Sequence, residues 1–224
     1  MIRHHPDDAL LLALASATLA RGPAVVVIAH AERCPRCRER LRQLDVVGGA
    51  LLEAAEPVLL APDALTRTLA RLEDVETASK TASAASPTAA QARFRASLPE
   101  GMAWPRCLGD SVPDGWRWLG PGMRWSRLTL RAAPEANVFL LRIAAGKSLP
   151  AHTHAGIELT QVLHGVFDDG RKRLDAGDFD ETDDSIRHQP VVQPGGECIC
   201  LASVEGRVVF EGAVARALGA LVGM

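Results

Sequence analysis

Hydrophobic and polar positions change their rhythm twice along the chain. Over residues 1–74 the spacing is helical. Leu10, Leu11, Leu14 and Leu19 follow the cap-like Asp7 and Asp8, and Gly22-Pro23 breaks that helix. After a second apolar stretch, AVVVIA, Pro35 marks a helix that carries Leu41, Leu44, Val47 and Leu51. Pro62 and Asp63 open another, with Leu65, Leu69 and Leu72 at near-fourfold spacing. Residues 75–98 lose the pattern and become rich in Ala, Ser and Thr, which predicts a flexible linker, or else a frayed Ala-rich helix. From about residue 113 short alternating runs (MRWSRLTL, NVFLLRI, IELTQVL, CICLA, RVVF) stand between Gly, Pro and Asp turns, as in a sandwich or barrel. Trp116, Trp118 and Trp125 read as packing residues of that part.

Composition narrows the function classes. The 224 residues carry a net charge of −2 and no block of Lys or Arg, so direct nucleic-acid binding is not expected. The arginines between Arg33 and Arg42 read as the solvated side of a helix. No apolar run approaches the ~20 residues that span a bilayer, and no signal peptide is visible, which predicts a cytoplasmic protein without a membrane partner. Five Cys in a reducing compartment point to metal or redox chemistry rather than disulfides.

The seven His fall in two groups, at 4, 5 and 30, and at 152, 154, 164 and 188. His30, Cys34 and Cys37 form H-x3-C-x2-C. On one helix they share a face; if Pro35 starts a new helix, His30 ends one segment and the Cys sit in the next turn. Tetrahedral zinc needs a fourth ligand, for which His5 or His4 is the nearby candidate. A closed site of this kind is structural, and contributes on the order of 10 kcal/mol to a small domain. In the second group, Gly146, His152, His154, Glu158 and Gly165 spell G-x5-H-x-H-x3-E-x6-G, the first motif of the cupin superfamily. His152 and His154 share one side of a strand, and Ala155-Gly156 allows the bend that returns Glu158 to them. Two imidazoles and a carboxylate suit zinc or another divalent transition metal. The second cupin motif is not reproduced, since Asp175-Ala176-Gly177 stands for P-x-G and no Asn follows. His188 is favoured over His164 as fourth ligand because it comes from a later strand.

The IRHH start, H-x3-C-x2-C, LDVVGGALLE, HTHAGIELTQVLHGVF, AGDFD, RHQPVV and ECICLA together resemble the ChrR family of zinc-binding anti-sigma factors. The resemblance implies an α+β multidomain chain: a small all-α zinc-binding domain (1–74), the linker (75–98) and an all-β cupin jelly-roll barrel (99–224). It implies structural zinc at His5, His30, Cys34 and Cys37, and a second metal at His152, His154, Glu158 and His188. It also implies a non-enzymatic role: binding an extracytoplasmic-function sigma factor, and releasing it on singlet oxygen or organic hydroperoxide sensed by the cupin domain. A metal-dependent cupin enzyme is the rival reading. Cys198 and Cys200, two apart on one strand side, become a candidate redox element beside the bland reading of two buried barrel residues. Cupins often dimerise through their sheets, so a homodimer is open.

Overall fold

A computed structural model describes residues 1–72, 89–109 and 111–210. Asp7 caps the first helix, α1 (Asp8–Ala15), its side chain accepting from the Leu10 N–H at 2.7 Å. The helix stops short of Leu19. The Ser16 and Thr18 hydroxyls donate to the carbonyls of Leu12 and Ala13, and Ala17 turns to φ 56°. The Gly22-Pro23 pair does separate two helices, but it lies within the first turn of α2 (Arg21–Arg33), where a missing proline N–H costs nothing. Cys34 ends α2 in an extended conformation, φ −99° and ψ 106°, as expected of a residue before proline. Pro35 then opens α3 (Pro35–Glu53). Residues 64–72 form helix α4, at the place the Leu65, Leu69 and Leu72 spacing predicts.

Much of the expected linker, residues 75–88, lies outside the described residues; its last part is helical, α5 (Ala89–Ala96), with Phe94 buried. Packing divides the chain into two compact units, Met1–Val46 with Pro99–Met224, and Val47–Leu98. This division differs from the one read in the sequence: the boundary falls inside α3, and α1 and α2 group with the sheets. The physical reason is α2, which buries Val26, Val27, Ala29 and His30 completely in that unit.

Among the described residues, twelve antiparallel strands follow a short 3-10 turn (Arg106–Leu108). They are β1 (Val112–Pro113), β2 (Arg117–Gly120), β3 (Met123–Thr129), β4 (Val138–Ile143), β5 (His152–His154), β6 (Ile157–His164), β7 (Val166–Asp168), β8 (Arg173–Asp175), β9 (Phe179–Thr182), β10 (Val191–Val192), β11 (Cys198–Glu205) and β12 (Val208–Phe210). The main sheet runs β1-β3-β4-β11-β6-β9, with β2 on β3; β10-β7-β8 and β12-β5 form two smaller ladders. Among the described residues the ladders remain separate, giving a cupin-like sandwich.

Alternation explains how β6 and β11 serve two sides. Val162, Cys198, Cys200, Ala202 and Val204 join the inner core with Trp125, Phe139 and Phe167. The intervening Leu159, Gln161, Leu163, Ile199, Leu201 and Ser203 are buried as well, on the opposite face, where α2 packs on both strands. A strand covered on both faces reads as a continuous apolar run, which is why CICLASV shows so little alternation. Gly22 makes the close approach possible, since a Cβ there would sit 2.6 Å from Ser203 Oγ. Of the three sandwich tryptophans, Trp125 is core, whereas Trp118 points outward and is 65% exposed.

Gly156, at φ +146°, makes the turn between β5 and β6, and a Cβ there would lie 2.0 Å from the Glu205 carbonyl oxygen. Gly156→Ala is therefore expected to lower stability by about 2–3 kcal/mol or more. Gly48→Ala, in α3 with nothing near its Cβ, is expected to raise it by about 0.5–1 kcal/mol. Thermal melts of the two variants check the contrast.

Two candidate metal centres

The N-terminal cluster is assembled from three pieces of chain. His5 comes from the segment before α1, His30 from the last turn of α2, Cys34 from its C-cap and Cys37 from the first turn of α3. One donor atom from each lies within 4.8 Å of all the others. His5 Nδ1 is 3.3 Å from Cys34 Sγ and 3.5 Å from Cys37 Sγ. His4, the alternative to His5, is not in the group. His30 is fully buried; its Nδ1 is 2.9 Å from Gln161 Oε1, while its Nε2 has no hydrogen-bond partner among the described residues. Two soft sulfurs, two imidazoles and an unpartnered buried ring nitrogen form a donor set that fits a tetrahedral ion.

The segment leading to His5 is tied to the turn between β8 and β9. Asp178 Oδ1 accepts from the backbone N–H of Arg3 at 2.6 Å and of His4 at 3.0 Å, and the Phe179 N–H donates to the His4 carbonyl at 3.1 Å. Burial works against the Asp178 charge, but these N–H donors and that of Asp175 outweigh it and hold the carboxyl below its usual range.

The second cluster lies inside the sandwich. His152 and His154 are the ends of β5, Glu158 is the second residue of β6, and His188 bridges backbone to backbone with His152. The three Nε2 atoms converge: His188 is 2.9 Å from His152 and 3.3 Å from His154, whose Nε2 is 3.0 Å from Glu158 Oε2. His152 Nδ1 donates to the Pro150 carbonyl at 2.8 Å, which leaves Nε2 as the lone-pair nitrogen. The ring nitrogens left over, Nδ1 of His154 and His188, are buried without hydrogen-bond partners among the described residues. Three imidazoles and one carboxylate within 4.8 Å fit a divalent transition metal. His164, the competing candidate, lies outside the group.

Around this cluster runs a cavity of about 40 Å³, lined by Leu141, Leu149 and Phe167 and by both thiols of the C-x-C pair. Cys198 and Cys200 are buried free thiols, their sulfurs 3.7 Å apart; the Cys198 contact and burial push the Cys200 thiol up. Sequence reading did not find Gln161, Asp178, or the buried pair Asp169 and Asp180. The latter two meet His188 within 4.8 Å but are neutralised by Arg171 and Lys172, with Lys172 Nζ 2.6 Å from Asp180. The AGDFD segment already contained Asp178 and Asp180, without any spacing that would single them out.

These features define a cupin-like protein with two metal-ligand clusters. The family profile described as the ChrR cupin-like domain matches residues 110–206. The anti-sigma-E factor ChrR of Cereibacter sphaeroides is 39% identical over 210 residues, covering 94% of this chain and 93% of that protein. The crystal structure of Rhodobacter sphaeroides SigE in complex with the anti-sigma ChrR is similar at 37% identity and a TM-score of 0.69, over 92% of this chain and 100% of that one. An RmlC-like cupin from Ralstonia eutropha is more distant, with 18% identity and a TM-score of 0.40 over 54% of this chain and 77% of the other. The chain belongs to the ChrR family of anti-sigma factors.

Burial lowers His30 and His152 from the ordinary 6.5 to about 4. An unfolded chain therefore takes up protons near pH 6.5 that the folded, metal-free protein refuses until about pH 4. The stabilisation is fully present above 6.5 and is lost as pH falls through that window, by up to about 3 kcal/mol per histidine. Urea midpoints of the metal-free protein at pH 7.5 and pH 5 are expected to drop accordingly. Cys37, pushed up to about 12 mainly by burial, must lose its proton to bind a metal, so uptake is expected to release protons and to tighten with rising pH.

Proposed function

We propose that this chain is a zinc-dependent anti-sigma factor. Its N-terminal helices bind an extracytoplasmic-function sigma factor in the cytoplasm, and its cupin-like part releases that partner in response to an oxidant. The observation that carries the first half is the surface left in water between residues 46 and 72. Val46, Val47, Leu51, Leu52, Val58 and Leu60 are all more than half exposed, as are Leu65 and Leu72. Lone exposed aliphatics are ordinary, whereas so dense a series within one short stretch is the mark of a surface that a partner covers. The related structure is that of a ChrR bound to a SigE, which supplies the partner class. No helix among the described residues is long and apolar enough to cross a membrane, consistent with a partner in the cytoplasm.

Zinc on His5, His30, Cys34 and Cys37 would act as a structural cross-link, with no open position for a substrate. The chain's own residues supply the rest: Cys34 ends α2 and Pro35 opens α3, so two ligands stand at the junction of the helices. A divalent metal on His152, His154, Glu158 and His188 would add Lewis-acid or redox chemistry to the inner cavity. The space beside it, about 40 Å³, is enough to admit a water-sized oxidant. Cys198 and Cys200, in the same cavity, are the reducing groups nearest to such an oxidant.

Co-purification with a cognate sigma factor tests the reading. Leu51→Asp with Leu65→Asp should weaken binding at least about 100-fold, as loss of apolar anchors does, while leaving the circular dichroism spectrum unchanged because both side chains are exposed. Cys34→Ser with Cys37→Ser should abolish both one metal equivalent and sigma binding. His152→Ala or Glu158→Ala should keep sigma binding but blunt release by singlet oxygen or organic hydroperoxide. Undiminished binding by the Leu51/Leu65 variant would refute the docking surface, and full release by the Glu158 variant would refute the sensor.

A further inference from the structure

Two sets of polar contacts reach from the sheets into the N-terminal centre without belonging to either ligand set. The first is Gln161. Its Nε2 donates to the Val162 carbonyl at 3.0 Å, which leaves Oε1 facing His30 Nδ1 at 2.9 Å; both side chains are wholly buried. An amide oxygen only accepts, so the His30 proton sits on Nδ1 and the lone pair stays on Nε2. That is the nitrogen without a partner, on a ring whose neighbour at 5.5 Å is His5. The second is Asp178, whose carboxylate holds the backbone N–H groups of the two residues just before His5.

We infer that Gln161 and Asp178 are positioning residues of the N-terminal metal centre, so that the cupin-like sheets set how tightly that centre holds its ion. The inference rests on the reading of His5, His30, Cys34 and Cys37 as a metal site. An outer partner on a ligating histidine fixes its tautomer and orientation, and removing such a partner typically weakens metal binding roughly 10–100-fold. Here the partner comes from β6, 131 residues away in the chain. β6 also carries Glu158 of the inner cluster, three residues earlier and on the opposite face. One strand thus touches both centres, and His5 and His30 are each held in place from the sheets.

The test uses the full-length protein loaded with cobalt, then zinc. Thiolate-to-cobalt charge transfer reports the N-terminal centre alone, because only that ligand set contains cysteine. Competition with a chromophoric chelator should show the N-terminal ion bound about 10–100-fold more weakly in Gln161→Leu and shifted in the same direction in Asp178→Asn. Gln161→Glu, which keeps an acceptor, should restore most of the loss. A folded Gln161→Leu protein with wild-type chelator resistance overturns the inference, as does a Gln161→Glu protein as weak as the Leu variant. Should the Leu variant not fold, nitrogen-15 NMR of the unmutated zinc form still decides: His30 is expected with its proton on Nδ1 and metal on Nε2, and metal on Nδ1 overturns the role of Gln161. If instead the Cys34→Ser, Cys37→Ser protein keeps every metal equivalent, it is the metal-site reading that has failed.

Discussion

The seat of α2 on the outer face of β6 and β11 is the constraint on which the rest depends. It buries the apolar side of the helix and, with it, one imidazole that requires a polar partner in an otherwise apolar contact. A buried hydrogen-bonding group left unmatched costs on the order of 1–3 kcal/mol, a cost that an acceptor opposite His30 Nδ1 removes. Gln161 meets that need from the sheet side. The N-terminal cluster is consequently not a free-standing zinc knuckle attached to a sensor. Its geometry is shared between helices and sheets.

This arrangement also accounts for where the two units part. Leu41 and Leu44 of α3 are still partly covered; from Val46 onward the aliphatic side chains of α3 face water, as do those of α4. A helix whose apolar stripe is left uncovered in its own fold is incomplete. The inner cavity has the opposite character. It is small and mostly apolar, and it brings His152, His188, Glu158 and the two thiols to one space.

How much of this could be read from the sequence depended on whether the signal was local. His30, Cys34 and Cys37 are close in the chain, as are His152, His154 and Glu158, so their spacing alone brings each trio together. His5 and His188 arrive from a distance and were identified only through the family resemblance and the habit of cupins to recruit a later strand. The longer strands were visible as apolar runs, whereas two- and three-residue strands such as β1, β7 and β10 carry too little pattern to register. The packing of α2 on the sheets was missed because the Ala- and Ser-rich stretch after residue 74 suggested separate bodies. Gln161 could not have been found, since a glutamine in a strand means nothing until the helix above it is known.

The alternation of β6 has a further consequence for how this family can change. Glu158 looks inward and Gln161 outward only because they stand three positions apart, an odd step along the strand. Inserting or deleting one residue between them would reverse the facing of one relative to the other unless a bulge absorbed the change. The length of this strand between its two functional positions is therefore constrained by two clusters at once, one on each face.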